Sequence, residues 1–159
     1  MTRIGRKSTT DAGGNRTSSG VRSRVDGARV LIVDDEEDNR DLFATFLGDR
    51  GYEIETAGDG EQAVVVAERF LPDVIIMDIA MPDLDGWEAA RRIRQSSVAA
   101  LAKSFIIVLT AFGDGASRRR TVEAGCDMHL VKPIRPDELA DHVAAALARG
   151  ASAEKSEQG

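Results

Sequence analysis

Between residues 28 and 149, short apolar runs alternate with stretches in which apolar positions recur every three to four residues. The runs are Val30–Val33, Ile54–Ala57 (the weakest), Val74–Met77, Phe105–Leu109 and His129–Val131. Three of them are continuous rather than alternating, the pattern of parallel strands covered on both faces. Between them Leu42, Phe43, Phe46 and Leu47 fall at helical spacing, as do Ala63, Val66, Ala67 and Phe70. Ala89, Ala90 and Ile93 form a third set, and Leu139, Val143 and Leu147 a last one. Breakers stand between the elements. Gly51 follows the first helix, Asp59 can cap the second with Gln62 at the capping-box position, and Pro136 can open the last. Gly115–Ala124 is the weakest helix, with Arg118, Arg119 and Arg120 in a row and little apolar face. Five βα units of this kind predict an α/β fold, a doubly wound five-stranded parallel sheet with helices on both faces. Ligands of such sheets bind beyond the carboxyl ends of the strands.

The flanks differ. Residues 1–27 are rich in Gly, Ser, Thr and Arg and carry only isolated apolar residues, so a disordered basic arm is expected there. Residues 150–159 read as a disordered polar tail, which leaves one domain at 28–149. Residues 1–29 hold seven basic against two acidic residues, a balance of +5; residues 30–159 hold fourteen against twenty-five, a balance of -11. An acidic domain repels a phosphate backbone, so direct DNA binding is not expected. No apolar stretch approaches the ~20 residues of a membrane span, and no apolar run follows the basic N-terminus as a secretory signal requires. The arm also lacks the amphipathic periodicity of a transit peptide. A single cysteine, Cys126, excludes an internal disulfide and a cysteine metal cluster, and reads as a small buried filler. A cytoplasmic protein is expected.

Each strand end carries a polar group. The first runs into Asp34 and Asp35, the third into Asp78, the fourth into Thr110, and the fifth into Lys132 and Pro133. Three carboxylates converging on one edge repel unless a cation or proton neutralises them. A few hard oxygen donors, completed by a phosphate, suit Mg²⁺. A lysine ammonium and a threonine hydroxyl across the pocket can hold phosphoryl oxygens, and an aspartate can accept a phosphoryl group covalently. Charge neutralisation and positioning then suffice, with no separate base.

These residues resemble the receiver domain of two-component response regulators. The match lies in the Val-Leu-Ile-Val-Asp-Asp run at 30–35, in Asp78 after Val-Ile-Ile-Met, and in the Met-Pro-Asp-Leu-Asp-Gly run at 81–86. Thr110-Ala111 and Lys132-Pro133 complete it, in order, over ~120 residues. The resemblance implies a flavodoxin-like sheet in the order 2-1-3-4-5 and a phosphoacceptor at Asp78. It implies Mg²⁺ held by Asp35, Asp78 and the backbone carbonyl of Ala80, with Asp34 acting through a metal-bound water. Lys132 and Thr110 would contact the phosphoryl oxygens, and the Lys132–Pro133 bond would be cis. Thr110 and His129 occupy the switch positions. The implied partner is a sensor histidine kinase or a histidine phosphotransfer protein, with output by protein–protein contact or onward phosphotransfer. Because about ten residues follow the last helix, the expectation is a receiver standing alone, a monomer or weak phosphorylation-dependent dimer, and not an enzyme.

Other readings compete for the same residues. Asp34 and Asp35 could simply cap the first helix, whose first turn (Glu36, Glu37, Asp38) favours negative charge. Lys132 alone would be a solvated charge and Thr110 a strand-end hydroxyl bonded to backbone. Asp78, Thr110 and Lys132 in register outweigh these. A haloacid dehalogenase-type Mg²⁺-dependent phosphatase also combines an Asp nucleophile with Thr and Lys, but wants a second Asp where this chain has Ala80. Departures from the receiver pattern are His129 in place of Tyr or Phe, and Arg135 in place of a capping Asp before Pro136. Ala80 and Phe112 flank the phosphoacceptor without a polar group for a hydrolytic water. Phe112 can shield the phosphorus with its ring or point away into solvent or a helix contact, and slow dephosphorylation is expected.

Overall fold

The computed structural model describes residues 27–81 and 84–158, with side chains as far as Arg149. Except for Gly27, the arm expected at 1–27 lies outside the described residues, as do Pro82 and Asp83. In chain order the elements are β1 (Arg29–Val33), α1 (Glu37–Gly48), β2 (Glu53–Ala57), α2 (Gly60–Phe70), β3 (Val74–Asp78) and α3 (Gly86–Arg94). Then come α4 (Ala99–Ala102), β4 (Phe105–Thr110), α5 (Gly115–Glu123), β5 (Met128–Val131) and α6 (Pro136–Gln158). All four strand pairings are parallel and the sheet runs β2-β1-β3-β4-β5.

Side chains alternate faces along each strand, so the continuous apolar runs feed two cores at once. Leu31, Ile75, Met77, Ile106 and Val108 meet Ala63 and Ala67 of α2 and Ala89 and Ile93 of α3. Their neighbours Val30, Ile32, Ile76, Ile107 and Leu109 meet Phe43 and Leu47 of α1 and Leu139 and Val143 of α6. Every residue of β3 is buried. The edge strand β2 is different: Glu53 pairs with Arg29 at 3.2 Å and Glu55 with Arg69 at 3.5 Å. That half-polar composition is why its sequence signal was weak.

Local signals act largely as the sequence implies. Asp59 accepts from the Gln62 amide at 2.8 Å and caps α2, while the Gln62 side chain reaches back to the Gly58 amide rather than to residue 59. Arg135, before Pro136, offers no capping acceptor, and its guanidinium pairs with Asp137 instead. Cys126 packs partly buried against the core, and burial pushes its thiol up to about 12, far from thiolate chemistry.

Three features depart from expectation. The four-residue α4 is too short to show a periodicity, and it anchors by Leu101 alone. The tail expected at 150–159 continues α6 to Gln158 instead. Ala151, Ala153, Glu154, Lys155 and Glu157 are strong helix formers, and Gly150 alone does not stop the helix. Leu42, counted with the apolar face of α1, is half exposed, because Phe43 and Leu47 alone turn fully inward.

One side chain ties the loops of the amino-terminal end together. Arg94, at the end of α3, donates to the carbonyls of Gly125 (2.8 Å), Ala102 (2.6 Å) and Ser104 (2.7 Å), and to Asp127 Oδ2 (2.8 Å). Asp127 also accepts from the Ile106 amide at 2.9 Å. Arg94 thus joins α3, α4, β4 and the turn into β5, and its loss strands several acceptors. Arg94→Leu should cost about 2–3 kcal/mol of unfolding free energy in urea, and Arg94→Lys most of that, since an ammonium cannot reproduce the planar fork. A loss below about 0.5 kcal/mol would show that water replaces the guanidinium freely.

Candidate functional site

The register that aligns Val33 with Met77 and Asp78 with Leu109 brings the ends of β1, β3 and β4 to one edge. Thr110 in turn pairs with Val131, one residue before Lys132. Polar residues that follow apolar runs of nearly equal length therefore collect in one place.

Asp34 is buried at 2% exposure and already engaged: Oδ1 accepts from the Glu36 amide at 2.9 Å and Oδ2 faces the Asn39 amide nitrogen at 3.5 Å. Arg40 grips its carbonyl at 2.8 Å. Asp35 is exposed at the mouth. Asp78, at 4% exposure, closes β3. Its Oδ1 accepts from the Ala80 amide at 3.2 Å and lies 3.3 Å from Lys132 Nζ. Carboxylate oxygens of Asp34, Asp35 and Asp78 all lie within 4.8 Å of one another. Burial pushes the Asp78 carboxyl above its ordinary range; Lys132 opposes that shift and Asp34 adds to it.

Three clustered carboxylate oxygens, two of them on buried side chains, fit a hard divalent cation of the Mg²⁺ type. The prior engagement of both Asp34 oxygens leaves Asp35 and Asp78 as the freer donors.

Thr110 is buried, and its Oγ1 accepts from the Phe112 amide at 3.0 Å, which leaves the hydroxyl proton to donate elsewhere. The Lys132–Pro133 peptide bond is cis. A cleft of about 400 Å³ adjoins Lys132, walled by Glu36, Asn39, Phe43, Leu109, Pro133 and Ile134. His129 lies in β5 opposite Val108, and both of its ring nitrogens are buried without a hydrogen-bond partner. Burial lowers its pKa, with Arg118 adding to the shift and Asp114 opposing it. The shield is not formed: Phe112 is 62% exposed, because its amide rather than its ring faces Thr110.

Sequence reasoning counted Gly86 within the 81–86 run but gave it no role: it stands where a Cβ would run into the Asp78 carbonyl oxygen. Its amide bonds the Ile79 carbonyl at 3.3 Å, so α3 starts directly against the site loop. The Asp-Gly pair at 85–86 was the available signal, with Asp85 capping α3 by accepting from the Glu88 amide at 2.8 Å. Trp87, the next residue, packs buried, and its contact to α5 carried no signal in the sequence.

Comparison with known proteins agrees with this geometry. Residues 30–144 match the model of the response regulator receiver domain. The chain is 44% identical over 121 residues to a probable transcriptional regulator, ycf27, of Guillardia theta, covering 76% of this chain and 46% of that one. It is 36% identical to the alkaline phosphatase synthesis transcriptional regulatory protein PhoP of Bacillus subtilis, covering 76% and 49%. The chain thus spans about half the length of the curated relatives it matches. Among solved structures, the chemotaxis protein CheY4 of Vibrio cholerae superposes with a TM-score of 0.71 at 32% identity, covering 76% of this chain and 98% of that one. No helix among the described residues is long and apolar enough to cross a membrane.

A carboxyl whose pKa is higher folded than unfolded costs stability once the pH exceeds the unfolded value of about 3.9. The cost is absent in acid, sets in as pH rises through that value, and is complete above the folded pKa. Asp78→Asn should therefore melt higher than the wild type at neutral pH without divalent cations, and the advantage should vanish below about pH 4. Equal melting temperatures at pH 7 would mean that Lys132 fully compensates the burial.

Proposed function

Because the chain belongs to the response regulator receiver domain family, we propose that Asp78 accepts a phosphoryl group from a histidine kinase or histidine phosphotransfer protein. The observation that carries the reading is one buried carboxylate oxygen facing Lys132 at 3.3 Å within a cluster of three carboxylates. An Asp78 carboxylate oxygen attacks phosphorus, the bond from phosphorus to the donor's imidazole nitrogen breaks, and the imidazole leaves with that electron pair. Asp35, Asp78 and the Ala80 carbonyl would hold Mg²⁺, with Asp34 acting through water; the ion supplies neutralisation of the charge gathered on the phosphoryl oxygens. Lys132 holds one phosphoryl oxygen by a charge-assisted bond and draws it toward β5. Thr110 donates its free hydroxyl proton to another.

Ala80 carries no acid or base, so turnover as a phosphatase is disfavoured, and no polar side chain at that position orients a hydrolytic water. Slow loss of the phosphoryl group follows. Ala80→Asn should speed its decay several-fold; an unchanged half-life would remove that residue from the account.

The curated relatives are transcriptional regulators about twice as long as the matched segment. For this domain we place output in protein contact or onward phosphotransfer, since a balance of -11 over residues 30–159 disfavours direct contact with nucleic acid. A cytoplasmic monomer, or a weak dimer formed on phosphorylation, fits the same reading.

The test is labelling of the chain by acetyl phosphate with Mg²⁺, read as the mass of one added phosphoryl group. Labelling should disappear in Asp78→Asn, in Asp35→Asn and in excess chelator. Lys132→Ala should still take up label while losing the accompanying amide shifts in β5. Full labelling in chelator would overturn the metal assignment, and label retained in Asp78→Asn would overturn the acceptor.

A further inference from the structure

Helix α5 buries no apolar side chain of its own. Of its nine residues only Ser117 and Thr121 are buried, and three arginines fill its centre. Two of its attachments lead back to the loops around Asp78. At its start the loop is held by the Phe112 amide on Thr110 Oγ1, and Asp114 caps the helix by accepting from the Ser117 amide at 2.8 Å. Nearer its end the attachment is Trp87, the chain's single tryptophan. The indole Nε1 donates to Thr121 Oγ1 at 3.2 Å, and the Thr121 hydroxyl donates in turn to the Ser117 carbonyl at 3.0 Å. The Arg120 guanidinium lies 3.9 Å from the indole centroid, and its far nitrogen is 3.9 Å from Asp85. Trp87 follows Gly86, whose missing side chain lets α3 abut the Asp78 carbonyl. Its backbone cannot shift without moving the loop that carries the site.

We propose that Trp87 is a positioning residue that latches α5, through Thr121 and Arg120, in an arrangement that phosphorylation of Asp78 disfavours. The inference rests on Asp78 being the phosphoacceptor. A phosphoryl oxygen on Asp78 draws the Thr110 hydroxyl toward it, and the Phe112 amide bonded to that hydroxyl pulls the loop Ala111–Asp114 after it. The start of α5 is then drawn toward the site while Trp87 pins its later turns. Full response requires the indole to release Thr121 and Arg120, which exposes one face of the ring. By linkage, whatever weakens the latch favours the phosphorylated form.

Acetyl phosphate and Mg²⁺ on the full chain test this, with mass reporting phosphorylation and Trp87 reporting the latch. Phosphorylation should shift Trp87 emission to the red and raise its quenching by acrylamide. Thr121→Val, which keeps the shape and deletes the acceptor, should speed labelling several-fold, whereas Thr121→Ser should label at the wild-type rate. Arg120→Met, at an exposed position, should speed labelling in the same direction and guards against misfolding of the valine variant. A phosphorylated wild type with unchanged Trp87 emission and quenching overturns the latch alone, as do wild-type rates in both folded variants. A wild type that takes no label overturns the phosphoacceptor reading, and the latch with it.

Discussion

Like charges forced to one end of a sheet are the constraint around which this molecule is arranged. Parallel strands deliver their carboxyl ends to a single edge, so Asp34, Asp35 and Asp78 meet there whatever else the chain does. Their mutual repulsion is met in three ways. Asp34 is tied down by the Glu36 amide, Asp78 faces an ammonium, and Asp35 is left in solvent. The rest of the fold holds those three solutions in place.

That support is mostly apolar. The inner strands β1, β3 and β4 are sealed on both faces, which fixes their register, because a slip of one residue would exchange the two cores. The cost of burying Asp78 is carried by this packing. At the opposite end of the sheet the problem is reversed, since unsatisfied carbonyls rather than carboxylates accumulate, and Arg94 gathers them. Two cationic side chains, Lys132 and Arg94, thus serve the two ends of one sheet. The first stays partly accessible for chemistry, while the second is used up by structure.

The parallel sheet and the gathering of polar residues at its carboxyl edge could be read from the chain because both follow from pattern, whereas the strand order was implied only by the family resemblance. Continuous apolar runs mark sealed strands, and the residue after each run lands at the carboxyl edge by geometry alone. This is how Asp78, Thr110 and Lys132 declare themselves. What escaped the sequence depends on side chains meeting across long separations. Nothing in the Arg91-Arg92-Ile93-Arg94 stretch distinguishes Arg94 from its neighbours, and nothing around Trp87 foretells Thr121. Phe112 was left open for a related reason. Its position beside Thr110 is plain in the sequence, but whether ring or amide faces the pocket depends on a loop conformation that no periodicity encodes. The end of α6 escaped because a polar composition was taken for a tail, although alanine and glutamate sustain a helix as readily as they decorate a loop.

The charged border of β2 has a consequence of another kind. An outermost strand presents a row of free amides and carbonyls on which a second chain could extend the sheet. Glu53 and Glu55, clasped by Arg29 and Arg69, place ionised groups along that border. An incoming strand would have to break those pairs and dehydrate them to dock. At the other border β5 is only four residues long, which shortens the template it offers to an incoming strand. Both margins are thus guarded, and a sheet rich in Val and Ile can remain dispersed at high concentration instead of growing into stacks.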